Sequence, residues 1–218
     1  MATNYFLMKE SQCDLLNDFK NFFQMVIDNQ KLICDLLKND QSSYKETYEK
    51  ACFLEKKVNT TYADMLEEIM WIIQRDQPRA SYLRFFIAGI NSIKDLERIS
   101  DHSEIICEYF LETEFDEEQK KFFLTSFEIS NQILSDLYDF FDKNEFSVNT
   151  IEHIKDLRSK SIMKINKNLI QSLHDQSKLL DENSNYIKLI LMYRHIERNI
   201  EHGINIVQNF GNVHITSR

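Results

Sequence analysis

Apolar residues recur along this chain at three- and four-residue intervals in six separate stretches, the spacing that lines one face of an α-helix. The first runs from about residue 5 to Lys38 and carries Leu15, Phe19, Phe22, Phe23, Val26, Leu32, Ile33, Leu36 and Leu37. Asn39-Asp40-Gln41-Ser42 interrupts it. Ser43-Tyr44-Lys45-Glu46 then has the form of a capping box and predicts the start of a second helix, reaching about Asp76. Pro78 is suited to a first helical turn, so a third helix is predicted from there to about Leu111. Thr113-Glu114-Phe115-Asp116 separates it from a fourth that ends near Lys143-Asn144. A fifth is predicted from about Thr150 to Asp181–Asn185, and a sixth from there to Phe210-Gly211.

Composition supports helices over sheets. The 218 residues include only 3 glycines and 1 proline, too few for the tight turns of a strand-rich fold. At 43% apolar, with 16 phenylalanines, the chain can bury a substantial core. Long helices with short polar links pack as antiparallel neighbours, so an all-α bundle is expected. The net charge of −9 argues against nucleic acid as a partner, because phosphate binding needs clustered Lys and Arg. No stretch approaches the ~18 apolar residues of a membrane span, and the first ten residues lack the pattern of a secretory leader. A soluble, cytoplasmic protein without membrane insertion is therefore expected. Cys13, Cys34, Cys52 and Cys107 are widely spaced, which fits reduced, buried thiols and neither a zinc ribbon nor a redox pair.

The chain also repeats itself. Adding 100 to a residue number carries Glu97, Arg98 and His102 onto Glu197, Arg198 and His202, Leu96 onto Ile196 and Asp101 onto Glu201. These matches fall at the same place in two three-helix sets, which predicts two repeats, 1–112 and 113–218. On the third helix the stripe Leu83, Phe86, Ile90, Ile93 continues into Glu97, Asp101, Glu104 and Glu108. On the sixth, Tyr186, Ile190 and Tyr193 lead into Glu197 and Glu201. Carboxylates at i and i+4 on such a face repel and are costly to desolvate unless compensated. Three arrangements answer that: the acids are solvated at the stripe's end, Arg98 and Arg198 pair with them from a neighbouring helix, or a hard cation bridges them.

Enzyme signatures are missing from the sequence. No acidic residue stands three before any of the six histidines, so the di-iron Glu-x-x-His pattern fails. There is no P-loop, G-x-G-x-x-G or H-E-x-x-H. His102 and His202 point away from the acidic stripe, which suits a hydrogen-bonded histidine at a helix contact. No enzymatic activity is expected.

Asp95-Leu96-Glu97-Arg98-Ile99-Ser100-Asp101-His102 resembles the PhoU signature Leu-Glu-Arg-Ile-Gly-Asp-His, which occurs once per half in that family. Gln77-Pro78-Arg79-Ala80-Ser81-Tyr82-Leu83-Arg84 is similar to the family's Gln-Pro-x-Ala-x-Asp-Leu-Arg, so Pro78 and Arg84 are motif residues. Val58-Asn59 also matches, and His202-Gly203-Ile204-Asn205-Ile206 resembles His-Ala-x-Asn-Ile. The resemblance implies two three-helix bundles in a divergent PhoU member. It also implies a regulator that restrains an ABC phosphate importer through contact with its ATPase subunit, and a sensor kinase where one exists, as a homodimer. Some members bind iron or other cations through paired Glu/Asp-x-x-x-Asp motifs. By match that role falls to Glu97 and Asp101, and less convincingly to Glu197 and Glu201. The alternative is a bundle whose primary task is metal handling. A gapless alignment puts Tyr62 and Leu66 where the family has facing acids on the second helix. The fifth helix offers Lys160, Lys164 and Lys167, which repel a cation but suit ion pairs with Glu197 and Glu201.

Overall fold

The computed structural model describes residues 2–39, 41–143, 148–173 and 185–215. Six α-helices account for nearly all of them: α1 (Ala2–Leu36), α2 (Tyr44–Asp76), α3 (Ser81–Glu112), α4 (Glu117–Asp142), α5 (Val148–Ser172) and α6 (Asn185–Ile215). The all-α class read from the sequence is the class observed.

Local chemistry sets the helix ends, not always as the sequence suggests. The Ser43 side chain makes no capping bond; a short 3-10 turn over Gln41–Ser43 feeds directly into α2. The true capping box opens α4, where the Asp116 carboxylate accepts from the Gln119 backbone N–H at 2.8 Å and the Gln119 amide oxygen accepts from Asp116 N–H at 3.1 Å. Pro78 is not in a first turn. It is buried in the α2–α3 link, directly after Gln77, which closes α2 in the left-handed conformation (φ 46°). A proline there stops a helix, since it can neither donate its N–H nor leave the preceding residue helical. Ala80 also has positive φ, and α3 starts only at Ser81. Helix α5 ends at Ser172, short of the expected 181–185 region, most of which lies outside the described residues.

α1, α2 and α3 pack on one another, as do α4, α5 and α6, and the two sets meet along α3 against α6 and α1 against α4. The α3 and α6 helices run antiparallel, since Asp95 meets His202 while Glu112 meets Lys188. Two buried apolar clusters result, and each draws on both halves. One joins Ile33, Cys34 and Phe110 to Phe123, Phe127 and Tyr193; the other joins Phe19, Phe23 and Phe85 to Phe141 and Phe210. Phe19 and Phe210 lie 5.1 Å apart by ring centroids, a favourable tilted aromatic pair across the two sets.

Between the clusters lies a polar node. Gln30 of α1 is fully buried, and its side-chain amide donates to the Ile99 carbonyl at 2.9 Å and to Ser103 Oγ. Its own side-chain oxygen accepts from Asn199, and its backbone carbonyl accepts from Asn131 of α4 at 3.3 Å. One glutamine thus ties four helices together, and a buried amide so bonded fixes register where apolar contact alone would allow sliding.

Candidate functional site

The half-buried carboxylates of α3 face α2 across a groove. Cys52 Sγ donates to Glu104 Oε1 at 3.2 Å, which sets the antiparallel register of the two helices. Three residues on from Cys52 and three before Glu104, that register brings Glu55 level with Asp101; one turn further, Asn59 comes level with Glu97. Asn59 in turn donates to Glu55. The acids feel one another. Burial, then repulsion from Glu97, Glu55 and Glu104, lifts the Asp101 carboxyl from 3.8 to about 6, with Arg98 only partly opposing. Glu55 is raised as well, chiefly by burial and then by Glu104.

The facing acid on α2 is therefore Glu55, not anything near Tyr62 and Leu66. The gapless alignment missed it because the observed register is offset by about two turns. Arg98 does not serve as a partner from a neighbouring helix: it lies on the acids' own helix, is exposed, and makes no ion pair among the described residues.

In the second half the acids Glu197 and Glu201 are each met by an arginine. Arg158 of α5 reaches across to α6 and pairs with Glu201 at 2.8 Å. Arg194 pairs with Glu197 at 3.1 Å. Lys160 pairs with Asp156, one turn back on its own helix, so the lysine pairing expected for the second acidic pair falls to Arg158. Arg198 is exposed like Arg98, and Arg84 is an exposed residue of the first turn of α3.

His102 and His202 lie in the seam between α3 and α6. His102 Nδ1–H donates to Asn199 Oδ1 at 2.7 Å, and His202 Nδ1–H to Asp95 Oδ1 at 2.7 Å. The His195 ring lies 4.6 Å from that of His102 at a tilt of 48°, and its own Nδ1 is buried with no hydrogen-bond partner among the described residues. Burial drives His102 down from 6.5 to about 4, and fields from His195, His202 and Arg198 add to it. Asp95, Asn199 and Gln30 were missed in the sequence, although Gln30 stands at core spacing between Ile27 and Ile33. Of the cysteines, Cys34 and Cys107 are buried, while Cys13 is exposed, against expectation. Burial lifts the Cys34 thiol to about 12.

The α2–α3 groove offers hard oxygen donors with little compensating charge, which suits a cation in kind. Its geometry does not: among the described residues no three His, Cys, Asp or Glu side chains converge closely enough to hold one. As it stands the groove concentrates negative charge.

Residues 19–110, spanning α1 to α3, match the PhoU domain family. The chain therefore carries a PhoU domain over α1 to α3. An uncharacterised protein of Mycoplasma genitalium is 33% identical over 49% of this chain and 48% of its own length, so the match spans about half of that relative. A Mycoplasma pneumoniae homologue of it is 24% identical over 96% of this chain and 95% of its own. The crystal structure of the phosphate transport system regulatory protein PhoU from Streptococcus pneumoniae superposes with a TM-score of 0.75 at 20% identity, covering 96% of this chain and 97% of that one. PhoU from Pseudomonas aeruginosa superposes at 0.66 with 15% identity, covering 99% of each. These two likenesses show that the PhoU fold extends over all six helices. No helix among the described residues is long and apolar enough to cross a membrane.

Proposed function

We propose that this chain is a cytoplasmic, non-enzymatic regulator of inorganic phosphate uptake. It acts by protein–protein contact on the ATPase subunit of an ABC phosphate importer and on a phosphate-sensing kinase where one exists. The observation that carries this reading is the match of α1–α3 to the PhoU domain. The side chains are in keeping with it: the repeated polar residues build the α3–α6 seam, with His102 bonded to Asn199 and His202 to Asp95. The test is twofold. Removing the chain from cells should raise phosphate uptake under phosphate-replete conditions, and the purified chain should co-purify with the importer's ATPase subunit. Unchanged uptake together with no co-purification would sink the proposal.

A second reading, a cation-handling bundle, is favoured by the closely spaced acids of the α2–α3 groove. It requires stoichiometric iron or manganese in protein purified without chelator, lost on combining Glu97→Ala with Asp101→Ala. Because no three ligands converge, we expect less than one tightly bound iron per chain.

A further inference from the structure

The 100-residue repeat duplicates basic residues as well as acidic ones. Lys94 and Arg98 lie four apart on the solvent side of α3, and Arg194 and Arg198 repeat them on α6; all four are exposed. They share one side of the molecule. α1 and α4 close the opposite side of the α3–α6 seam, where Gln30 bonds to Ile99 and Asn199, so the outward faces of α3 and α6 point the same way.

The register fixed by Asp95–His202 and Glu112–Lys188 places Arg198 level with Ser100 and Arg194 level with Glu104. Lys94, Arg98, Arg198 and Arg194 therefore form a stripe about 15 Å long, ten residues of helix at 1.5 Å each. Lys94, Arg98 and Arg198 make no ion pair among the described residues; Arg194 reaches Glu197. Exposed apolar residues end the stripe symmetrically. Ile87 (47% exposed) stands at one end, and Ile187 (42%) with Leu191 (41%) at the other.

Four cations gathered along one seam stand out in a chain of net charge −9. Exposed cations, three of them outside any ion pair among the described residues, present a surface complementary in charge to an acidic partner. We propose that the α3–α6 seam is a docking surface for an acidic, amphipathic helix of a partner protein. Its central carboxylates would meet Lys94, Arg98, Arg194 and Arg198, and its apolar ends would cover Ile87 and the Ile187–Leu191 pair. The apolar ends favour a protein helix over a polyphosphate or RNA strand, which offers nothing to cover them. The neighbouring acids Glu55, Glu97 and Asp101 repel such a helix from the α2 side and so confine it to the seam. The inference deepens the proposed regulatory contact and rests on that reading for the existence of the partner.

The experiment uses the full chain and its Arg98→Glu, Arg198→Glu double variant. Both positions are exposed, so circular dichroism should show the same fold. The probe is a synthetic helical peptide with glutamates on one face and leucines at both ends, beside a control with lysines in place of the glutamates. We expect the wild-type chain to bind the acidic peptide, less tightly as salt is added, and the double variant to lose about tenfold or more in affinity. Four results would overturn the inference: no binding by the wild-type chain, equal binding by the variant, equal binding of the lysine control, or RNA or polyphosphate binding where the acidic peptide does not. Both proteins are also measured against the importer's ATPase subunit. If the wild type ignores that subunit while the peptide result holds, the proposed partner fails and the docking surface stands. If both proteins bind the subunit equally, the surface fails and the regulatory reading stands.

Discussion

Asp95 and His202 meet across the seam at 2.7 Å, at the position where the repeat sets His195 against His102. The 100-residue offset relates the two contacts: His202 corresponds to His102, and Asp95 to His195. One copy is a carboxylate–imidazole hydrogen bond and the other a tilted contact between two imidazole rings. With side chains 11% and 14% exposed, the Asp95–His202 bond is well shielded from water. A double-mutant cycle with Asp95→Asn and His202→Gln should give a coupling energy of about 1–3 kcal/mol by urea unfolding. Additive losses would show that the bond contributes nothing beyond its two ends.

His102 makes the fold sensitive to acid. Above about pH 6.5 neither the folded nor the unfolded imidazole carries a proton. Between 6.5 and about 4 the unfolded chain takes up a proton that the buried ring refuses, so stability falls as pH falls. His195 is lowered in the same direction, by burial and then by Arg198. Replacing His102→Gln should flatten the loss of stability between pH 6.5 and 4.5 by up to about 1.4 kcal/mol per pH unit. Urea midpoints taken at several pH values check this, and an unchanged slope would mean that the folded ring charges freely.

Asp101 acts in the opposite sense. Its folded value of about 6 exceeds the ordinary 3.8, so the folded chain holds this proton more tightly than the unfolded one. The stabilisation is present below pH 3.8 and is lost as pH rises through 6. Above that the ionised carboxylate is a liability. Asp101→Asn should therefore stabilise the protein at pH 7.5 by about 1 kcal/mol, a value discounted because the groove is partly open to solvent. The gain should shrink toward nothing near pH 4. Thermal melts at the two pH values decide it, and destabilisation at pH 7.5 would refute the electrostatic account.

Which of these features the sequence could show depends on their range. Helical periodicity is local, so all six helices and the all-α class could be read from the spacing of apolar residues alone. The doubled Glu-Arg segments likewise carried the family. What could not be read was pairing between helices. Glu55 and Arg158 look like ordinary surface charges until the registers of α2 on α3 and α5 on α6 are known, and those are set by contacts such as Cys52–Glu104. The capping box was misplaced because Ser43 and Asp116 both satisfy the pattern, and only backbone geometry separates them. The positive φ of Ala80, just before α3 begins, has no sequence signal.

Two mid-helix glycines should respond differently to the same change. A methyl at Gly89 would lie 3.5 Å from Ile69 Cδ1 and 3.9 Å from Leu15 Cδ2, ordinary contact distances. Gly89→Ala should then gain about 0.5–1 kcal/mol of helix propensity. At Gly203 the methyl would lie 2.7 Å from Leu134 Cδ2 and 2.9 Å from Leu137 Cδ1, so these two buried side chains of α4 must shift. Overpacking should outweigh propensity there, and Gly203→Ala should lose about 1 kcal/mol. Chemical denaturation of both variants tests the contrast; a gain at Gly203 would show that the two leucines simply turn aside.

Because each apolar cluster takes side chains from both halves, synthesis of the protein has a fixed order of events. When the ribosome has released α1 to α3, Phe19, Phe23 and Phe85 still await Phe141 and Phe210, and Gln30, Asp95 and His102 have no partner on α6. The nascent chain must hold that sticky, half-dressed face until its last thirty or so residues emerge. A message truncated near its 3′ end would therefore yield an aggregating product and not a working half-protein.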